Sequence, residues 1–330
     1  MSELHKFIFE GLPVRGALVL LTDAWQEVLQ RRAANTQTGA YPAPVSGMLG
    51  EMAAAAVLMQ SGIKFDGALV MQIFGDGPVK LAVAEVQSDL RLRATASVIG
   101  AAHAGATLRE LVNVRGGGRC AITLDPRLRL PGQQPYQGVV PLVDAHGAAL
   151  DGIGPVIEHY MRQSEQLDTT VVLAADDRRA AGLLLQRLPV QGQHNLAQSH
   201  VADEGQGEHD GTDDPFQRLS LLARSLKREE LLGLDADTVL RRLFWQEPLR
   251  RFEPAQGSAG PRFACSCSRE RVAAMLKGLG VAEVESIVHE QGQVEVSCDF
   301  CGQQERFDAV DAARLFTPAA QQSPQPGSVQ

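Results

Sequence analysis

The chain has 330 residues, 44% of them hydrophobic and 21% charged, so it can bury a core without disulfide staples, and about two or three domains are expected. A formal charge of -8 argues against nucleic acid as a partner, because phosphate binding relies on clustered Lys and Arg. No apolar run approaches the roughly 18 residues needed to cross a membrane, and residues 1–11 lack the basic-then-apolar order of a signal peptide, so a cytoplasmic protein without membrane association is expected.

Residues 1–190 read as an α+β domain of mixed α/β, sandwich-like character. Pro44 suits the first turn of a helix in which Met48, Leu49, Met52, Ala53, Ala56 and Val57 recur at helical spacing until Gly62 stops it. A β-rich run at 68–74, a Gly75-Asp-Gly-Pro78 turn and a second run at 80–86 give a hairpin signal. Residues 91–98 alternate with period two and extend the hairpin to a meander. Further strands are expected at 138–142 and 169–174, with a helix from about 155 to 163 between them. Cys120 falls in a strand-like stretch and is expected to be an inert core residue.

Residues 191–214 carry Gly, Gln, Asp, Glu and His with almost no large apolar side chain, the composition of a solvated polar loop. His194, His200 and His209 lie in it at spacings that match no regular element, so ordinary loop histidines are expected there. Asp214 and Pro215 then supply an N-cap and a first helical residue, and Phe216, Leu219, Leu222, Ala223 and Leu226 form one apolar stripe. A second helix from Asp235 groups Val239, Leu240, Leu243 and Phe244. Residues 215–255 are therefore expected to form a helical module too small for its own core, which must lean on a neighbour.

Residues 256–317 read as a small four-cysteine module, and 318–330 have the composition of a disordered tail. Ser268 is placed to cap a helix that carries Val272, Met275, Leu276 and Leu279 and stops at Gly280. Residues 293–297 read as a strand leading into Cys298, with Arg306 and Phe307 on its returning partner. The cysteines stand as Cys265-Ser-Cys267 and Cys298-Asp-Phe-Cys301-Gly302, and four thiolates suit one tetrahedral Zn²⁺ per chain. Gly302 allows a positive φ where the chain turns back under the sulfurs. Such a centre carries a formal charge of -2, which Arg262, Arg269, Arg271 and Arg306 could offset unless they are surface charge. Spacing alone leaves open a structural zinc ribbon. A thioredoxin-like dithiol fits poorly, because Cys298 does not open a helix inside a βαβ unit.

With these residues the chain resembles the redox-regulated chaperones of the heat shock protein 33 family over about residues 5–316. The shared features are Val14-Arg-Gly-Ala-Leu-Val19, Lys64-Phe-Asp-Gly67, Gly75-Asp-Gly-Pro78, Tyr136-Gln-Gly-Val-Val140, His159-Tyr160, Ser164-Glu-Gln-Leu167 and the two cysteine pairs, of which the CxC and CxxC ending is the family's signature. The resemblance implies a holdase without ATP, inactive while Cys265, Cys267, Cys298 and Cys301 hold zinc in the reduced state. It further implies that oxidation joins Cys265 to Cys267 and Cys298 to Cys301, that zinc leaves, and that the linker loses structure and exposes apolar surface. Unfolding client proteins would bind there, with Phe216, Leu219, Leu222 and Leu226 as candidate contacts, and the oxidised protein would form a homodimer.

A zinc ribbon that binds nucleic acid, or a purely structural zinc protein, is the competing reading. It lacks support from any aromatic and basic stripe beside the cysteines. Residues 1–190 contain no P-loop, GxSxG, HExxH or dinucleotide fingerprint, so no enzymatic activity is expected.

Overall fold

The computed structural model describes residues 1–35, 38–128, 132–189 and 214–317. The expected polar loop before Asp214, with its three histidines, and the expected tail at 318–330 lie outside the described residues. Two compact units emerge, Met1–Ala264 and Cys265–Gln330.

The first unit opens with β1 (Glu3–Phe9), β2 (Val14–Leu21), α1 (Asp23–Ala34) and α2 (Ala43–Gly62). The meander follows as β3 (Gly67–Phe74), β4 (Val79–Gln87) and β5 (Arg91–Val98), then α3 (Leu108–Val112), β6 (Arg119–Pro126) and β7 (Tyr136–Pro141). Next come α4 (Ile153–Ser164), β8 (Thr169–Ala175) and β9 (Ala180–Arg187). Beyond the undescribed stretch lie α5 (Pro215–Arg224), α6 (Arg228–Gly233), α7 (Ala236–Phe244), β10 (Leu249–Arg251), β11 (Ala255–Gln256) and β12 (Arg262–Phe263). The second unit contains α8 (Arg269–Leu279), α9 (Val281–Gln291), β13 (Val294–Ser297), β14 (Gln304–Phe307) and α10 (Ala309–Phe316). This is the α+β class read from the sequence.

Two six-stranded sheets build the first unit. One runs β10-β1-β2-β9-β8, with β11 also on β1, and the other runs β12-β5-β4-β3-β6-β7. Helix α2 touches strands of both sheets. Its apolar residues are buried on nearly every side, from Val45 through Leu58, as expected of a helix wedged between two layers. Gly50 is required there, because a Cβ would come within 2.5 Å of the Ala175 side chain.

The first sheet is covered on both faces, and the alternation of a strand explains how. On β2, Ala17, Val19 and Leu21 point into the core shared with α2, whereas Leu18 and Leu20 join Phe7, Phe9, Leu183 and Leu185 in a second core. That second core is completed by Phe216, Leu219, Ala223 and Leu226 of the α5 region, Leu231 of α6, and Ala236, Val239, Leu240, Leu243 and Phe244 of α7. The helical module thus has no core of its own and roofs the outer face of the sheet. Asp214 caps α5 by accepting from the Phe216 N–H, and Asp235 caps α7 by accepting from the Thr238 N–H.

Candidate metal centre and the module above the sheet

Sequence and local structure bring the four cysteines together from two directions. Cys265 and Cys267 lie on the extended stretch before α8, whose N-cap Ser268 accepts from the Arg271 N–H. Cys298 and Cys301 sit in the turn between β13 and β14, where Gly302 has φ of 70° and donates its N–H to the Cys298 carbonyl at 2.8 Å. The Cys298 N–H in turn reaches the Gln303 carbonyl at 2.9 Å. A side chain at 302 would meet the steric penalty of the left-handed region.

The four Sγ atoms all lie within 4.8 Å of one another. A tetrahedral metal with bonds to sulfur of about 2.3 Å places neighbouring sulfurs about 3.8 Å apart. Two of the contacts run across the two halves, 3.6 Å for Cys265–Cys298 and 3.2 Å for Cys267–Cys301. Both the spacing and the soft, four-sulfur donor set fit a tetrahedral metal ion, and these cysteines could hold one.

Thiol acidity is divided among them. Burial works to raise the Cys265 thiol, but the Cys267 N–H and neighbouring thiols donating to its sulfur outweigh it and bring it down to about 7. The Cys298 thiol is pushed up to about 11, first by burial and then by the charge on Cys265 despite N–H groups at Phe300 and Cys301. Burial and the adjoining sulfurs raise Cys267 further still. Four like-charged thiolates crowded this closely resist joint ionisation, which is the condition a divalent cation relieves.

Three of the four arginines considered as counter-charges are engaged by carboxylates. Arg269 lies 4.2 Å over the Phe307 ring and pairs with Asp311 at 2.6 Å, Arg306 pairs with Glu295 at 3.0 Å, and Arg262 pairs with Asp89 at 3.2 Å. Only five apolar side chains are fully buried in this unit's cluster among the described residues: Leu276, Val284, Val294, Phe307 and Ala312. Cys120, by contrast, is fully buried in β6 opposite Ile73 and Val140, with its thiol pushed up to about 12 by burial alone. It is a core residue outside the centre.

The proposed client contacts are all covered in this structure. Phe216, Leu219 and Leu226 are buried in the second core, and Leu222 packs at its margin. What the residue pattern left unnamed is the surface beneath them. Phe7, Phe9, Leu18, Leu20, Leu183 and Leu185 make a contiguous apolar sheet face that, among the described residues, the helical module covers. The available signal was the near-continuous apolar run of β2 and β9, which marks strands buried on both sides. Polar ties hold the module down: Arg187 to Asp214 at 2.5 Å, Arg224 to Glu158 at 2.8 Å, Arg228 to Glu51 at 3.9 Å, and Thr170 to Ser220 at 2.8 Å.

Comparison with known proteins adds a family. The model of a family described as Hsp33 protein matches residues 2–308. A curated relative from Chromobacterium violaceum, named 33 kDa chaperonin, is 46% identical over 96% of this chain and 94% of its own. Another of that name from Methylobacillus flagellatus is 40% identical over the same shares of the two chains. A crystal structure of the 33 kDa chaperonin (heat shock protein 33 homologue) of Thermotoga maritima superposes with a TM-score of 0.70 over 95% of this chain and 97% of that one. At 19% identity it speaks for the fold.

Proposed function

This chain belongs to the Hsp33 family and has a chaperone function, and we propose that its four cysteines make it a redox-controlled holdase that works without ATP. The observation that carries the reading is the convergence of four sulfurs within 4.8 Å in a unit whose own apolar core is five side chains. Zinc bound there would contribute on the order of 10–16 kcal/mol to folding of a unit that has little else to hold it. Cys265, Cys267, Cys298 and Cys301 would be its ligands, one ion per chain in the reduced form.

Two molecules of peroxide take four electrons from the four thiols, forming two disulfides and four waters. Disulfide sulfurs are neutral and bind metal poorly, so the ligand set is lost and zinc leaves. The proposed pairs are Cys265 with Cys267 and Cys298 with Cys301. Each closes a very short loop and returns little of the lost stability. The module 215–255 is then proposed to detach: its helices are held by one shared face and a few polar ties, and its end by the short edge pairing of β10 and β11 with β1. Both its stripe, including Phe216, Leu219, Leu222 and Leu226, and the sheet face under it become available to unfolding clients. The oxidised form is proposed to be a homodimer and the protein to act in the cytoplasm.

The test is suppression of client light scattering by the full-length protein, with and without peroxide and in the absence of nucleotide. Suppression after oxidation only, reversed by thiol reductant, is expected. Equal activity in both states would leave a chaperone with a merely structural metal site.

A further inference from the structure

A cavity of about 750 Å³, with no cysteine in its lining, opens beside the end of α2 in the first unit. Its volume is that of a small-molecule pocket, which commonly runs from about 300 to 1,000 Å³. The inner wall is aliphatic, formed by Leu58, Met59, Leu69, Ile122, Leu124 and Leu184. Several segments that gave the sequence its family likeness, and that the metal centre does not use, contribute here: Arg15 and Gly16, Lys64, Tyr160, and Glu165 with Leu167.

Arg15 is the distinctive group. It stands directly across from Gln186 in the β2–β9 ladder, and its Nε and Nη2 both donate to Gln186 Oε1, the former at 2.9 Å. The Gln186 amide is oriented in turn by donating Nε2 to Thr169 Oγ1 at 3.3 Å. A guanidinium has five N–H donors, so three are left without a hydrogen-bond partner on this cavity-lining residue, and Arg15 forms no ion pair, among the described residues. Burial of this unpaired cation pulls its pKa below the ordinary arginine value. The carbonyl end of α2 at Gly62, against which Arg15 packs, offsets only part of that charge.

Lys6 and Lys64, exposed at the mouth, also form no ion pair among the described residues. Two carboxylates share the rim. Glu165 accepts from the hydroxyls of Tyr136 at 3.2 Å and Tyr160 at 3.3 Å, and Glu253 is exposed. The cation oriented by Gln186 therefore sits at the polar end of an aliphatic cavity, with two further cations at its entrance.

We propose that this cavity binds a fatty acid, its carboxylate on Arg15 and its acyl chain against the wall formed by Leu58, Met59, Ile122, Leu124 and Leu184. Charge-assisted pairing supplies the carboxylate preference and burial of methylenes supplies chain-length dependence. No cysteine takes part in the site, and because Phe252 and Glu253 of the 215–255 module line it, the reduced chain is the state to test.

The experiment is titration of the reduced, zinc-loaded full chain with decanoate below its micelle concentration, followed by calorimetry and by NMR of ¹³C-methyl methionine. Saturation at one decanoate per chain is expected, with shifts at Met59 and Met161, which line the cavity. Met48 and Met52, buried in the core, report that the fold is intact. Decyltrimethylammonium and Arg15→Met should each weaken binding at least tenfold, and Leu124→Trp, which fills the cavity and keeps Arg15, should block it. If Arg15→Met disturbs the Met48 and Met52 signals, the Leu124→Trp result decides. Absence of saturation, equal binding of the cationic amphiphile, unmoved Met59 and Met161, or decanoate affinity unchanged in Leu124→Trp would overturn the proposal.

Discussion

The Phe244 ring of α7 meets the Phe9 ring of β1 edge-on, with centroids 5.1 Å apart and planes at 88°. Phe7 stands 6.2 Å from the same ring, so Phe244 is the anchor by which the helical module grips the sheet. Removing a buried phenylalanine of this kind costs about 3–5 kcal/mol, from lost transfer energy and the cavity left behind. Phe244→Ala should therefore loosen the module without touching a cysteine. Hydrogen exchange is expected to accelerate in residues 215–244 of the reduced variant, with client binding appearing in the absence of oxidant. Fast exchange without client binding would show that uncovering this face does not make the chaperone active.

Cys298→Ser removes one ligand and one disulfide partner together, and Cys298 also anchors the turn through its N–H to Gln303. Zinc affinity is expected to fall by at least tenfold, as judged by competition with a chromogenic chelator, and peroxide should no longer change holdase activity. A variant that still switches with oxidant would assign control elsewhere.

Oxidised protein digested without reduction should yield peptides joined as Cys265–Cys267 and Cys298–Cys301. The folded centre instead brings Cys265 to 3.6 Å from Cys298 and Cys267 to 3.2 Å from Cys301. All four sulfurs lie within 4.8 Å of one another, so proximity alone does not select the pairs and the peptide map decides between them. Crossed pairs would contradict the proposed pairing.

Glu51 on α2 is largely buried beside Arg228 of the helical module, and burial raises its carboxyl to about 7 although Arg228 acts in the opposite direction. A raised carboxyl binds its proton more tightly in the folded chain, so its contribution to stability is present below about pH 4.5 and is lost as pH rises to about 7. Asp176 and Asp177 line a cavity together with Glu51 and Arg228, separate from the one at Arg15. Glu51→Gln should flatten the pH dependence of unfolding across that window and stabilise the protein at pH 8 by on the order of 1–3 kcal/mol. Urea melts at pH 5 and pH 8 check it; a variant less stable at pH 8 would show that the Arg228 contact outweighs desolvation.

Periodicity was informative where one face of an element is wet. The meander β3–β5, helices α4, α5 and α7, the start of α7 at Asp235 and the caps at Asp214 and Ser268 could all be read from spacing and end residues. Strands β2 and β9 could not, because a strand covered on both faces loses its alternation and resembles a short buried helix. The sheet face bearing Phe7, Phe9, Leu18 and Leu183 stayed hidden for that reason. Helix α6 was masked by Arg228, Glu229 and Glu230, with only Leu231 fully buried. The clustering of Cys265, Cys267, Cys298 and Cys301 was legible because they stand in two close pairs in the sequence. The Arg15–Gln186 pair was not, since it depends on a ladder between strands 171 residues apart.

Zinc release and client protection, followed in one sample, bear most directly on the redox-switch reading. Reduced, zinc-loaded protein is treated with peroxide at a temperature that favours unfolding, while a metal indicator and light scattering from an aggregating client are recorded together. About one equivalent of zinc is expected to leave per chain, with the same time course as the loss of scattering. Protection that appears while zinc stays bound, or zinc that leaves with no protection, would contradict a switch built on Cys265, Cys267, Cys298 and Cys301.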